Sequence, residues 1–342
     1  MSASTDKLLE VRNLSVSFSG LRGPTRVLDD LSFSIERGEI VGLVGESGSG
    51  KSVTSLAIMG LLGAQGRIDQ GSIRLGEHRM TEVAPELLPG IRGRNGAMIF
   101  QEPTTSLNPI FRVGYQIAEV LIQHFGLSPR KAMTQAVAMM ERAGIPAAAQ
   151  RARNYPHELS GGLKQRVMIA MALACKPGLL IADEPTTALD VTTQAQILDL
   201  IRQLRDELGM AVLLITHDMG VIAESADRVL VMYAGQIVEQ APVEALFSAP
   251  RQPYTRLLLR AIPSVRSKPA ALPVIKGNAP TAGRFPAGCR FHPRCPMARE
   301  VCREGMPPLE RIELRRYARC KRLDAVEREL PGLPEDRRAP HD

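Results

Sequence analysis

Residues 40–62 read IVGLVGESGSGKSVTSLAIMGLL. Ile40–Val44 is a short apolar run ended by a glycine, which reads as a buried strand. Gly45, Glu46, Ser47, Gly48, Ser49, Gly50, Lys51 and Ser52 then match the pattern G-x-x-x-x-G-K-[ST]. The stretch from Ser52 to Leu62 has the pattern of a helix. In such a strand–loop–helix setting the backbone N–H groups of the loop cradle phosphate oxygens, and the helix N-terminus favours negative charge. Lys51 is then placed to reach the β- and γ-phosphates of a nucleotide, and Ser52 to ligate Mg2+. An ordinary glycine-rich turn would not need the strand before it and the helix after it.

Working outward, residues 8–44 read as short alternating strands, clearest at Leu14–Phe18 and Leu31–Ile35, with a turn at Glu36–Glu39. Residues 102–158 change character: Val113–Phe125 and Ala132–Ala143 have helical periodicity, as a helical insertion would. Ser160–Cys175 is a further helix, entered through Ser-Gly-Gly. Leu179–Ala182 and Val212–Thr216 are apolar strands with the helix Thr192–Leu208 between them, and Val229–Tyr233 with Gln236–Glu239 make a hairpin around Ala-Gly. Alternation of strands and helices implies a mostly parallel sheet covered by helices.

Composition bounds the reading. Of 342 residues, 44% are hydrophobic, enough for a sizeable core. Aromatics are 4% and Trp is absent, which argues against stacking platforms for single-stranded nucleic acid. The longest clean apolar runs, Val167–Cys175 and Met210–Ile215, fall short of the ~18–20 residues that cross a bilayer. The first residues, MSASTDKLLEV, do not read as a secretory signal, so a cytosolic or peripheral location is expected. The net charge of +7 is uneven. Residues 1–250 carry 23 Lys/Arg against 26 Asp/Glu, and residues 251–342 carry 20 against 10. The shift marks a domain boundary near 250, and any pull toward anionic lipid or a partner subunit is expected from the tail.

Two more stretches carry chemistry. Leu179–Glu184 is an apolar strand ending in two carboxylates: Asp183 can hold Mg2+ through water, and Glu184 sits where a base can polarise an attacking water. Leu159–Gln165, LSGGLKQ, places small residues at a helix N-terminus, a second phosphate-binding surface. Each is commonplace alone; their order after the phosphate loop makes them specific.

At this point the chain resembles the ATP-binding-cassette ATPases over residues 8–245. The resemblance implies an α/β fold, a RecA-like phosphate-loop core with a β-subdomain and a helical signature subdomain at about 102–158. This ATP-binding domain spans 8–250, a Cys-rich C-terminal metal module 251–325, and a disordered tail 326–342. It also implies roles. Phe18 stacks on adenine, residues 45–52 wrap the phosphates of ATP, and Gln101, in the Q-loop, helps Asp183 and Ser52 place Mg2+ and water. Glu184 is the general base, Lys51 and His217 contact the γ-phosphate, and Asp190 lies in the D-loop spelled Ala188-Leu-Asp190. Ser160, Gly161 and Gly162 form the signature and cap the ATP held by a second ATPase; Leu163 and Lys164 depart from its commonest spelling.

Residues 102–109 (EPTTSLNP), 155–160 (YPHELS), 252–255 (QPYT) and 288–296 (GCRFHPRCP) are similar to the ATP-binding subunits of dipeptide/oligopeptide importers. That narrower resemblance implies a peptide-import ATPase, the first of two ATPases in such systems. Its partners would be a sibling ATPase in a heterodimer, two transmembrane permease subunits and an extracytoplasmic peptide-binding protein, with no nucleic acid. The place implied is peripheral, on the cytoplasmic face of the inner (cell) membrane. Nickel and glutathione importers share much of this spelling. A non-transport cassette ATPase working on nucleic acid or translation would carry two cassettes, a coiled-coil insertion or zinc modules.

Cys289, Cys295, Cys302 and Cys320 are separated by 5, 6 and 17 residues, unlike the C-x2-C pairs of a zinc ribbon. Four thiolates can hold Zn2+ or an iron–sulfur cluster, or remain unligated. The resemblance implies a structural 4Fe-4S cluster, with zinc as the alternative. His292 is read as a packing residue, and Cys175 as a small buried hydrophobe.

Overall fold

The computed structural model describes residues 7–20, 23–187, 189–261 and 274–330. Ala188 and the expected disordered stretch 331–342 lie outside the described residues.

Alternating apolar residues build a first, antiparallel sheet. It contains β1 (Lys7–Gly20), β2 (Gly23–Glu36), β4 (Gly66–Leu75) and β5 (His78–Arg79) in the order β2-β1-β4-β5. Leu9, Val11, Leu14 and Val16 are fully buried or nearly so, as are Leu31 and Ile35. Simple alternation breaks at Ser15 and Ser17, which are buried too. Their hydroxyls are satisfied: Ser15 Oγ accepts from the Asp30 N–H at 3.2 Å, and Ser17 Oγ donates to Asp69.

The second sheet runs, in order, β11 (Glu310–Glu313), β12 (Arg316–Ala318), β10 (Gln236–Pro242), β9 (Arg228–Tyr233), β3 (Ile40–Val44), β8 (Ala211–Ile215), β7 (Leu179–Asp183) and β6 (Gly96–Ile99). Its parallel part is β6, β7, β8, β3 and β9. Period-two geometry splits these strands between two cores. Val41, Leu43, Leu179, Ile181, Leu213 and Ile215 pack toward the first sheet. Ile40, Val44, Leu180, Ala182, Val212 and Leu214 pack toward the helices. Burial on both faces is what parallel strands require, and each buried Val, Leu or Ile side chain contributes roughly 1.5–3 kcal/mol.

Helices Val113–Phe125 and Pro129–Arg142 form the expected helical insertion, and helix Gly161–Leu173 leads from it back to β7. Helix Val191–Leu208 starts at Asp190, whose carboxylate accepts the Thr193 N–H at 2.9 Å, and stops at Gly209.

The C-terminal region is built into the core sheet, where the sequence suggested a separate module. The strand β10 (Gln236–Pro242) pairs with β12 (Arg316–Ala318), which pairs with β11 (Glu310–Glu313). Glu239 of β10 is fully buried and accepts the N–H groups of Arg251 and Gln252 at 2.7 and 3.0 Å, anchoring helix Pro253–Arg260. The tail boundary also shifts. Residues 326–330, expected in the disordered tail, hold a short helix, Val326–Glu329, with Val326 and Leu330 buried against Met297.

Candidate active site

The strand order decides what can meet. β6, β7, β8 and β3 are neighbours and parallel, so the loops after them open at one edge of the sheet, where ligands of open α/β sheets bind. Gln101 follows β6, Asp183 and Glu184 end β7, His217 follows β8, and the phosphate loop follows β3.

The phosphate loop is held close to β9. A Cβ on Gly45 would lie 2.1 Å from the Met232 carbonyl oxygen, so only glycine fits there. Gly50, at φ 107°, caps helix Lys51–Ile58 from the left-handed region. Lys51 is buried, and its Nζ donates to the carbonyls of Gly45 and Glu46 at 2.8 and 3.2 Å. Burial pushes its ammonium down, while the nearby carboxylates of Glu184, Asp183 and Glu46 push the other way. Asp183 is held above its ordinary value, chiefly by burial, although hydrogen bonding from Ser52 opposes this. A hydroxyl facing a carboxylate at a helix N-terminus is a hard oxygen pair that suits Mg2+.

Glu184 has φ 47°, an uncommon conformation for a non-glycine residue and a reservoir of strain at functional sites. Its N–H donates to the Ile215 carbonyl at 2.9 Å, tying the end of β7 to that of β8. Its carboxylate accepts from Gln101 Nε2 at 3.0 Å and from Thr187 Oγ1 at 2.9 Å, and His217 Nδ1 lies 3.3 Å away. The structure therefore gathers Gln101 and His217 around the Glu184 carboxylate, whose charge acts on Lys51 and Asp183. Thr187 joins them unforeseen; its only sequence signal is its place three residues after Glu184.

Other expected residues lie elsewhere. Ser160 is exposed, and its Oγ accepts the Leu163 N–H at 3.4 Å as a helix cap. Gly162 packs near Thr193, bringing the Ser160 and Asp190 helix starts side by side. Among the described residues no hydrogen bond joins Ser160 or Asp190 to Lys51, Asp183 or Glu184. Phe18 pairs with Gly66 at the end of β1 and is half-buried against the core between the two sheets. Glu46 is engaged from behind: Tyr254 Oη accepts its N–H at 3.0 Å, and Arg294 Nη1 donates to its carboxylate at 2.8 Å.

The expected metal module is not met. Among the described residues no group of three or more His, Cys, Asp or Glu side chains is placed to hold a metal ion. Cys289, Cys295, Cys302 and Cys320 do line one cavity, with Phe291, His292, Pro253 and Met297, but its volume is about 20 Å3. That is close to the room one water needs. They are free thiols here, and burial pushes Cys295 up to about 12 and Cys320 to about 11. No helix among the described residues is long and apolar enough to cross a membrane.

Comparison with known proteins identifies the kind of chain. Residues 28–187 match the model for ABC transporters, and residues 238–302 that for the oligopeptide/dipeptide transporter C-terminal region. The oligopeptide transport ATP-binding protein AppD of Bacillus subtilis is 50% identical over 92% of this chain and 96% of its own length. The oligopeptide transport ATP-binding protein OppD of Salmonella typhimurium is 48% identical, over 92% of this chain and 93% of its own. The dipeptide transport ATP-binding protein DppD of Escherichia coli K12 is 47% identical, over 92% and 96%. Among solved structures, the post-hydrolysis dimer of the ATP-binding cassette MJ0796 bound to ADP and Pi is similar. It has a TM-score of 0.62 and 28% identity, and the match covers 69% of this chain and 98% of that one.

Proposed function

The chain belongs to the ATP-binding subunits of the oligopeptide/dipeptide ABC transporter family, and from that premise we propose how its residues divide the work. It is an ATPase that energises peptide import. The observation that carries the mechanism is the Glu184 carboxylate, held by Gln101 and Thr187 beside His217, with its charge acting on Lys51.

Phe18 stacks on the adenine, and residues 45–52, Lys51 among them, wrap the phosphates. Mg2+, when bound, neutralises charge on the β- and γ-phosphates, and Ser52 and Asp183, with Gln101, would hold it. Glu184 takes the proton of the attacking water, and Gln101 and Thr187 fix its orientation. His217 donates a hydrogen bond to the γ-phosphate. Ser160, Gly161 and Gly162 start a helix at an exposed place, and among the described residues Ser160 makes no hydrogen bond to Lys51, Asp183 or Glu184, which supports their capping the nucleotide of a sibling ATPase. In that reading the chain alone is half-sited. Alone it is expected to hydrolyse ATP at least tenfold more slowly per chain than when mixed with its sibling; equal rates would refute the half-site.

Exposed Phe100, Ile110, Phe111 and Tyr115 border Gln101 and the helical subdomain. An apolar face there supports docking of two permease subunits, hence a peripheral place on the cytoplasmic side of the inner membrane. A separate extracytoplasmic protein would deliver the peptide. Convergence of the four tail thiols on one apolar cavity supports a shared ligand, and we assign it as a structural 4Fe-4S cluster that Cys289, Cys295, Cys302 and Cys320 would hold. Protein isolated without oxygen is expected to carry iron and sulfide in a 1:1 ratio. Iron-free protein with stoichiometric zinc, or with no metal, would overturn that assignment.

A further inference from the structure

The phosphate loop touches the C-terminal region through Glu46, 248 residues before Arg294 in the chain. The Arg294 side chain is 7% exposed, and its guanidinium spends its donors on a few fixed acceptors. Nη1 reaches both Glu46 oxygens at 3.1 and 2.8 Å and Tyr233 Oη at 3.3 Å. Nε reaches the Lys276 carbonyl at 3.1 Å. Tyr254 Oη accepts the Glu46 N–H, while the Glu46 carbonyl accepts from Lys51 Nζ. One residue of the loop is thus gripped at its amide and side chain by the tail, and at its carbonyl by the phosphate-binding lysine. Tyr254 and Tyr233 each pack edge-on against Phe291, at ring-centroid distances of 5.4 and 5.2 Å. Phe291 lines the four-cysteine cavity, and Arg294 directly precedes Cys295.

We propose that Arg294 and Tyr254 are positioning residues for the nucleotide: they set the phosphate loop through Glu46, so nucleotide affinity depends on the packing of the four-thiol cavity. The inference rests on the phosphate loop holding ATP, as read above. The chemistry is that of preorganisation. Nη1 holds the Glu46 carboxylate while Nε and Nη2 are fixed on the Lys276 and Ile275 carbonyls, so the loop is ordered before phosphate arrives. Linkage then runs both ways: a nucleotide that orders the loop must also tighten the tail against it.

The test uses the full-length chain and MgADP, which avoids turnover. Arg294→Met is expected to weaken MgADP binding 5- to 50-fold, and Arg294→Lys to recover most of the loss. Glu46→Gln, at the half-exposed end of the pair, is expected to weaken it by a similar factor, and it reports even where Arg294→Met fails to fold. Combining Glu46→Gln with Arg294→Met should add less than twofold to either alone. Saturating MgADP should slow backbone hydrogen exchange across residues 289–302 in the wild type and much less in Glu46→Gln. A folded Glu46→Gln with MgADP affinity within twofold of wild type would overturn the proposal, as would single-variant effects that multiply in the double variant. A wild-type chain that binds no MgADP would instead overturn the nucleotide reading on which it stands.

Discussion

Glu184→Gln is expected to keep MgATP binding within a few-fold of wild type and to lower turnover by about 10²–10⁴-fold, the usual contribution of a general base. That is roughly 3–5 kcal/mol of barrier. The amide is nearly isosteric, and its oxygen can still accept from Thr187 Oγ1 and Gln101 Nε2, now 2.9 and 3.0 Å from the carboxylate. The left-handed backbone at φ 47° is no harder for Gln than for Glu. What vanishes is an oxygen basic enough to take the proton of water. Steady-state hydrolysis together with a binding titration separates the two effects. Turnover like that of the wild type would refute the base assignment.

Arg228→Met is expected to lower stability by about 3–5 kcal/mol, because among the described residues it leaves the buried Glu39 carboxylate with only the Glu36 N–H at 2.9 Å and Arg315 Nη2 at 3.4 Å. Arg228 and Glu39 are 5% and 8% exposed. Arg228 Nε reaches Glu39 Oε1 at 2.8 Å, and Nη2 reaches Oε2 at 3.0 Å. The pair staples the turn before β3 to the start of β9, at the end of β3 opposite the phosphate loop. Burial pushes the Glu39 carboxyl up, but the hydrogen bonds and charge of Arg228 outweigh it and hold the group below its usual range. The sign follows from proton linkage. A carboxyl lowered in the folded state stabilises above its unfolded value, 4.5, and that stability is lost as pH falls through the lower folded value. Urea unfolding should therefore show the full gap between wild type and Arg228→Met at pH 7 and a narrowing gap below about pH 4.5. A gap under 1 kcal/mol at neutral pH would contradict the account, as would one that widens in acid.

The chemistry of the nucleotide edge was legible because its constraints are local. A glycine where a Cβ would strike the Met232 carbonyl and carboxylates at the end of an apolar strand are read within a few residues. So is a histidine after the next strand. The β9–β10 hairpin showed itself through Ala234 and Gly235, both at positive φ. What stayed hidden depends on contacts far apart in sequence. Gly96–Ile99 is too short to stand out as a strand, yet it places Gln101. Glu310–Ala318 reads as polar loop and joins the sheet only because β10 offers an edge. That pairing, with buried Glu239 and the Arg294–Glu46 contact, makes the tail part of the ATPase. Cysteine spacing suggested a metal, but spacing says nothing of how closely thiols approach, and no preformed ligand group stands there among the described residues.

The central claim is that ATP hydrolysis at this site drives peptide import. Its most direct test is uptake of labelled di- and oligopeptides into proteoliposomes holding the whole transporter, with ATP and this chain on the outer face. The wild type is expected to accumulate peptide only with MgATP, and Glu184→Gln to accumulate none. Peptide uptake that persists with Glu184→Gln would contradict the account, as would MgATP hydrolysis by the wild type that moves no peptide.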